Sequence, residues 1–168
     1  ILGALLKIYG MELTFEEEIF SYKFDDKVVQ QNMEAFKKGY ELTESRFVEP
    51  ERSTEKTMML QANESIALGA LAAGLKFYSA YPMTPATSIM SYLVKKSFDA
   101  KVVVEQAEDE IAAINMAIGA SYAGVRSMTG TSGGGYSLMV EAVGMAGIME
   151  TPLVIAEIQR PGPATGLP

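Results

Sequence analysis

The chain has 168 residues, of which 48% are hydrophobic and 21% charged, with a formal net charge of -7, no Cys and no His. It is long enough for one globular core and an appendage, since domains cluster at about 100 to 150 residues. The composition excludes the basic field that a nucleic-acid partner requires, and it excludes disulfides, thiolate nucleophiles, iron-sulfur ligation by this chain and the commonest neutral-pH base and metal ligand.

Chemistry is therefore left to carboxylates, hydroxyls, Lys, Arg and the backbone. No apolar run reaches the roughly 18 residues that span a bilayer, so no membrane association is expected. With no signal peptide, the expected compartment is cytoplasmic. The chain opens on Ile1 and stops at Pro168 in the loop-like run RPGPATGLP, and is read as a fragment of a longer polypeptide.

In chain order, residues 1–41 read as two or three short helices. Thr14 and Glu17 have capping-box spacing, and Val29, Met33, Phe36 and Tyr40 recur at helical intervals. This piece carries little core of its own. From Glu41 to Thr57 the run ELTESRFVEPERSTEKT is polar and holds Pro50, so residues 42–57 read as a linker and a second unit, 58–168, begins at Met58.

The second unit alternates strands and helices. Asn63 is placed to cap a helix ESIALGALAAG that Gly74 closes, and KFYSAYP is a strand ending at Pro82. A helix over Ala86–Lys95, a strand AKVVVEQ, a helix from Glu108 to about Ala123, a strand RSMTGTS, a helix over Leu138–Met149 and a strand PLVIAEIQ follow. This alternation predicts an α/β fold, a parallel sheet flanked by helices, because parallel strands need crossovers that cover both faces. The eleven Met residues suit gaps in such a core.

In such sheets ligands sit at the carboxyl ends of the strands. Four stretches should gather there: Tyr81-Pro82-Met83-Thr84-Pro85, the helix start with Glu108, Asp109 and Glu110, the run TSGGGYS, and QRPGP. The acidic trio fits an ordinary helix start, where carboxylates are favoured by the macrodipole by about 0.3 to 1 kcal/mol. Glu110 differs because Ile111, Ala112, Ala113, Ile114, Ala117 and Gly119 surround it with a narrow apolar face. A carboxylate held out of water binds a proton more tightly and can share it with a nitrogen heterocycle. Glu108 and Asp109 read as solvated charges.

Ser132, Gly133 and Gly134 read either as a flexible turn or as a place where backbone amides approach a ligand closely. The run matches neither the dinucleotide fingerprint nor the phosphate loop. Arg160 is either a surface residue or a fork for a substrate carboxylate. Thr84, between two prolines, is either a turn hydroxyl or a donor to a substrate. Glu110, Thr84 and Arg160 are expected to share one water-poor crevice.

Together these residues resemble the pyrimidine-binding domain of thiamine diphosphate enzymes, specifically the alpha subunit of 2-oxoacid:ferredoxin oxidoreductases. AYPMTPATSIMSYL is similar to that family's YPxTP segment, and the run from Glu105 to Pro168 is similar almost throughout. Residues 1 to about 41 resemble, less specifically, the end of a gamma-type domain fused in front. The pattern departs at Met83, at Ala86-Thr87 and at Gly134, where the family favours Ile, Ser-Ser and often Pro.

The resemblance implies that Glu110 contacts the cofactor's aminopyrimidine and stabilises its protonated or imino form, that Thr84 and Arg160 lie on the substrate side, and that Tyr81, Pro82, Ser132, Gly133 and Gly134 border the cofactor. It implies oxidative decarboxylation of a 2-oxoacid such as pyruvate or 2-oxoglutarate to acyl-CoA and CO2, with electrons passed to ferredoxin. The chain has no GDG motif and no Cys, so Mg2+ and a [4Fe-4S] cluster are expected on a beta subunit in a hetero-oligomer, and no metal on this chain. Two other readings stay open: another thiamine diphosphate decarboxylase or transketolase-like subunit, and a non-catalytic module whose sheet rim is only an interface.

Overall fold

The computed structural model describes residues 1–12, 16–49, 51, 54–163 and 166–167, so the capping box expected at Thr14 lies outside the described residues. The chain divides into two compact units, Ile1–Thr57 and Met58–Pro168.

The first unit is helical: α1 (Leu2–Ile8), α2 (Glu16–Ser21) and α3 (Asp26–Glu41). The Asp25 carboxylate accepts from the Val28 amide at 3.0 Å and starts α3. Of the four residues at helical spacing, Val29 and Phe36 are buried and Met33 and Tyr40 half-buried. Helix α1 crosses α3 where Gly3 meets the Phe36 carbonyl, an approach that leaves no room for a Cβ.

The second unit places β1 (Phe77–Ala80), β2 (Val103–Gln106), β3 (Ser127–Thr131) and β4 (Val154–Glu157) in one sheet of order β2-β1-β3-β4. All three pairings are parallel, with Phe77 opposite Val103 and Ser127, and Met128 opposite Val154. The crossovers are α5 (Thr87–Ala100), α6 (Glu110–Tyr122) and α7 (Gly133–Ile148), and α4 (Ala62–Ala72) precedes β1. A short pair follows, β5 (Arg160–Pro161) with β6 (Gly166–Leu167). Among the described residues no helix is long and apolar enough to cross a membrane.

Strand alternation sends successive side chains to two cores. On one side Tyr78 and Met128 pack with Ile89, Met90 and Leu93 of α5 and Ala67 of α4. The other core holds Ala113, Ile114 and Ile118 of α6 with Met139, Ala142 and Ala146 of α7. The sheet under α6 presents hydroxyls in place of large apolar groups. Ser79 Oγ donates to the Ala113 carbonyl at 2.6 Å and Ser127 Oγ to the Ala117 carbonyl at 2.7 Å.

Three expected boundaries are corrected. Asn63 is not the cap of α4: the helix starts from Gln61, whose amide donates to Glu64 Oε2 at 3.1 Å, and the Asn63 amide nitrogen donates instead to the Pro85 carbonyl at 2.8 Å and to Ser88 Oγ at 2.7 Å. Helix α5 runs past Lys95 to Ala100, ending at Lys101 with φ 52. Helix α7 begins at Gly133, not near Leu138, since Ser132 is extended and its carbonyl accepts from the Tyr136 amide at 2.8 Å. The glycine run is the first turn of a helix.

Candidate functional site

Because β1 to β4 are all parallel, the segments after their carboxyl ends share one rim. Two backbone bonds hold that rim together: the Ala107 amide donates to the Ala80 carbonyl at 3.0 Å, and the Ile158 amide to the Thr131 carbonyl at 2.9 Å.

The acidic trio separates into three different roles. Asp109 is the cap of α6, its carboxylate accepting from the Ala112 amide at 2.7 Å, and Glu108 is exposed. Glu110, the first helical residue, turns inward and keeps only 7% of its surface exposed. A Cβ built on Gly135 would stand 2.8 Å from both Cγ and Oε1 of Glu110, and nearer still to Oγ1 of Thr131. The Glu110 side chain therefore lies over the first turn of α7, beside a fully buried hydroxyl. Among the described residues no hydrogen bond or ion pair to this carboxylate is found.

A carboxylate that gives up its remaining contact with water to a ligand needs a donor in exchange. Its position at the mouth of the sheet suits a ligand that brings a polarised N–H, and the glycine turn beside it carries no side chains to block an approach.

The other sequence-selected residues occupy separate places on the rim. Tyr81 and Thr84 are exposed on the segment between β1 and α5, Pro82 is half-buried there, and the two Asn63 bonds hold the Pro85 end of that segment to α4. Ser132 is fully buried, with Gly133 and Gly134 half-buried beside it. Arg160 is exposed on β5, where it pairs with Gly166. Thr84 follows β1 and Arg160 follows β4, with β3 between them, a separation of about 10 Å across the sheet at the usual strand spacing. What the structure brings together is Glu110, Thr131 and Gly135. Sequence reasoning missed the last two; the buried TGT strand running into three glycines was the available signal. No group of three or more acidic, His or Cys side chains able to hold a metal occurs among the described residues.

On the opposite core, Tyr78 is fully buried beneath Gly130, and burial pushes its hydroxyl above the ordinary tyrosine value.

The chain is similar to known proteins at several levels. The protein-family model described as pyruvate flavodoxin/ferredoxin oxidoreductase, thiamine diP-bdg, matches residues 68–168. The alpha subunit of 2-oxoacid:ferredoxin oxidoreductase 1 from Sulfurisphaera tokodaii is 40% identical over 96% of this chain and 28% of its own length. The 2-oxoglutarate synthase subunit KorA of Methanothermobacter thermautotrophicus is 48% identical over 65% of this chain and 29% of its own length. Among solved structures, the 2-oxoglutarate:ferredoxin oxidoreductase from Magnetococcus marinus, with 2-oxoglutarate, coenzyme A and succinyl-CoA bound, matches with a TM-score of 0.83 at 40% identity. That match covers 99% of this chain and 31% of the other. The chain thus spans less than a third of the length of these relatives.

Proposed function

The chain belongs to the family of thiamine diphosphate-binding domains of pyruvate flavodoxin/ferredoxin oxidoreductases, and on that premise we propose that it is part of the alpha subunit of an enzyme that oxidatively decarboxylates a 2-oxoacid to an acyl-CoA, with electrons passed to ferredoxin. The observation that carries this reading is Glu110, an acid with 7% exposure at the rim of a parallel sheet, lying over the first turn of α7.

Its chemistry fits the pyrimidine end of thiamine diphosphate. A carboxylate at this rim can accept a hydrogen bond from a protonated ring nitrogen, and so favours the tautomer that carries a proton there. Bound thiamine diphosphate supplies the electron sink for cleavage of the bond to the 2-oxoacid carboxylate. The chain's own contributions are distinct. Glu110 would fix the protonation state of the pyrimidine, the small residues of α6 and the glycine turn of α7 would admit a planar ring, and Thr84 and Arg160 would bind the 2-oxoacid from the rim segments after β1 and β4, on either side of that turn. An exposed arginine fork on β5 suits a carboxylate that arrives from solvent.

The remaining machinery belongs to a partner. This stretch has no Cys to hold an iron-sulfur cluster, and the run GDG for a magnesium-bound diphosphate does not occur in it. A beta subunit supplies both, and the cofactor spans the interface. The test is Glu110→Gln and Glu110→Ala in the full-length alpha subunit assembled with its beta subunit. Loss of a general acid–base group of this type costs about 100-fold to 10,000-fold in kcat, read as 2-oxoacid-dependent reduction of ferredoxin. Assembled variants that keep wild-type turnover would remove Glu110 from the mechanism.

A further inference from the structure

We propose that Gly135 is a positioning residue for this reaction: the missing side chain at that one position sets where the Glu110 carboxylate lies. The inference rests on the reading of Glu110 given above and extends it to a residue that touches no substrate.

Glycine is the poorest helix former after proline, so a glycine inside a helix calls for a reason. Gly69, Gly119, Gly144 and Gly147, also in helices of the second unit, have nothing within 4 Å of where a Cβ would point. Gly135 is the opposite case. Its Cβ position is already filled by Glu110 Cγ and Oε1 at 2.8 Å and by Thr131 Oγ1 closer than that, and real Cβ atoms essentially never come under 3.0 Å. The site is fully formed around an absent methyl.

Which neighbour yields decides the consequence. Thr131 is fully buried at the carboxyl end of β3 and β-branched, so its side chain has little freedom to rotate and does not clear the space by itself. Glu110 is longer, unbranched and placed at a helix start. An alanine at 135 therefore displaces Glu110 as well as Thr131 Oγ1, and because Cγ is in the way as well as Oε1, a turn of the carboxyl group alone does not relieve the contact with Glu110. The whole carboxylate swings off the first turn of α7. A shift of about 1 Å in a reacting group costs on the order of 100-fold in rate.

The test uses the assembled oxidoreductase in a Thr131→Ala background, which removes the nearer clash, with Gly135→Ala, Glu110→Ala and both together, measuring kcat and KM for the 2-oxoacid and the Kd for thiamine diphosphate by calorimetry. Gly135→Ala is expected to lower kcat by about 100-fold with KM for the 2-oxoacid little changed. In the Glu110→Ala background the same substitution should alter neither the residual kcat nor the Kd, because its effect runs through Glu110. Turnover in assembled Gly135→Ala near that of Thr131→Ala alone overturns the proposal, as does an equal loss with and without Glu110. If Gly135→Ala does not assemble in that background, adding Glu110→Ala removes the rest of the three nearest obstructing atoms and should restore assembly; a triple variant that still fails overturns it too. The two readings fail differently. Active Glu110→Ala sinks the role of Glu110, whereas inactive Glu110→Ala with active Gly135→Ala sinks only that of Gly135.

Discussion

Gly130 in β3 offers a test of how tightly the sheet core is built. A Cβ there would fall under 3.0 Å from the Tyr78 hydroxyl oxygen, while the next atoms, Cζ and Cε2, stand at 3.4 and 3.7 Å. The obstruction is thus a single oxygen on a side chain that is itself fully buried. Forcing an extra methyl into such a core costs about 1 to 3 kcal/mol. Against that, replacing a strand-interior glycine with alanine recovers about 0.5 to 1 kcal/mol of chain entropy. Gly130→Ala alone should therefore destabilise, by up to about 2.5 kcal/mol. In a Tyr78→Phe background the oxygen is gone, the remaining contacts are ordinary, and the same substitution should stabilise by about 0.5 to 1 kcal/mol. Tyr78→Phe itself should be nearly neutral, because no hydrogen bond from this hydroxyl is found among the described residues. Differential scanning calorimetry of the assembled protein and its three variants reads the coupling as a difference of several degrees in midpoint. Equal destabilisation of both backgrounds would refute the packing argument.

Tyr78 also predicts a pH dependence. Burial raises its folded-state value, so the folded protein holds the proton more tightly than the unfolded chain. Stability is complete below the unfolded tyrosine value of about 10 and falls above it by up to about 1.4 kcal/mol per pH unit; Tyr78→Phe should flatten that slope in urea titrations on either side of about pH 10. Thr129 Oγ1 is buried with no partner, so Thr129→Val should raise the urea midpoint, by the equivalent of about 1 kcal/mol, and a lowered midpoint would mean that the hydroxyl is satisfied in the assembled enzyme. Asn63→Ala removes the bonds to the Pro85 carbonyl and Ser88 hydroxyl. It should cost about 1 to 2 kcal/mol and, by loosening the turn that carries Thr84, raise KM for the 2-oxoacid more than it lowers kcat; an unchanged KM in steady-state kinetics would separate that turn from substrate binding.

The parallel sheet was legible in the sequence because short runs rich in aromatic or β-branched residues alternate with crossovers long enough for a helix. Boundaries failed where tertiary contact overrides local propensity. GGGY reads as a loop by composition, yet Ser132 is extended, the Tyr136 amide bonds back to it, and the third glycine is dictated by a side chain 25 positions earlier in the chain. Thr131, four residues earlier, carries the local half of that constraint, and Glu110 the half that only the fold brings in. Asn63 was misassigned for a related reason: an amide with two donors is as useful bridging to a distant turn as capping its own helix, and only the fold shows which is satisfied. Glu110 stood out because acids are rare beside a run of Ala and Ile, and the pattern set it apart from Glu108 and Asp109, which read as solvated charges; what it did not show is that Asp109 is the cap of α6.

The placement of Glu110 follows from a polar device under α6. Ser79, Ser127, Thr129 and Thr131 are all buried and occupy alternate positions on β1 and β3, so they face the same side of the sheet. A row of Val or Ile there would hold the helix off and leave its rotation to be set by side-chain packing. Small hydroxyl residues let α6 come down onto the sheet on Ala113 and Ala117, and the two serines then bond to the carbonyls of those same alanines. Each of those carbonyl oxygens has a second lone pair beyond the one its helix partner uses. Two directional bonds about one turn apart fix both the rotation of α6 and its position along the strands, which a greasy contact does not. Glu110 lies three residues before Ala113 on that fixed helix, and its carboxylate therefore meets Thr131, the last hydroxyl of the row, at the sheet rim. The acid is aimed by the backbone of its own helix, and its exactness of position comes from serine hydroxyls that never approach a ligand.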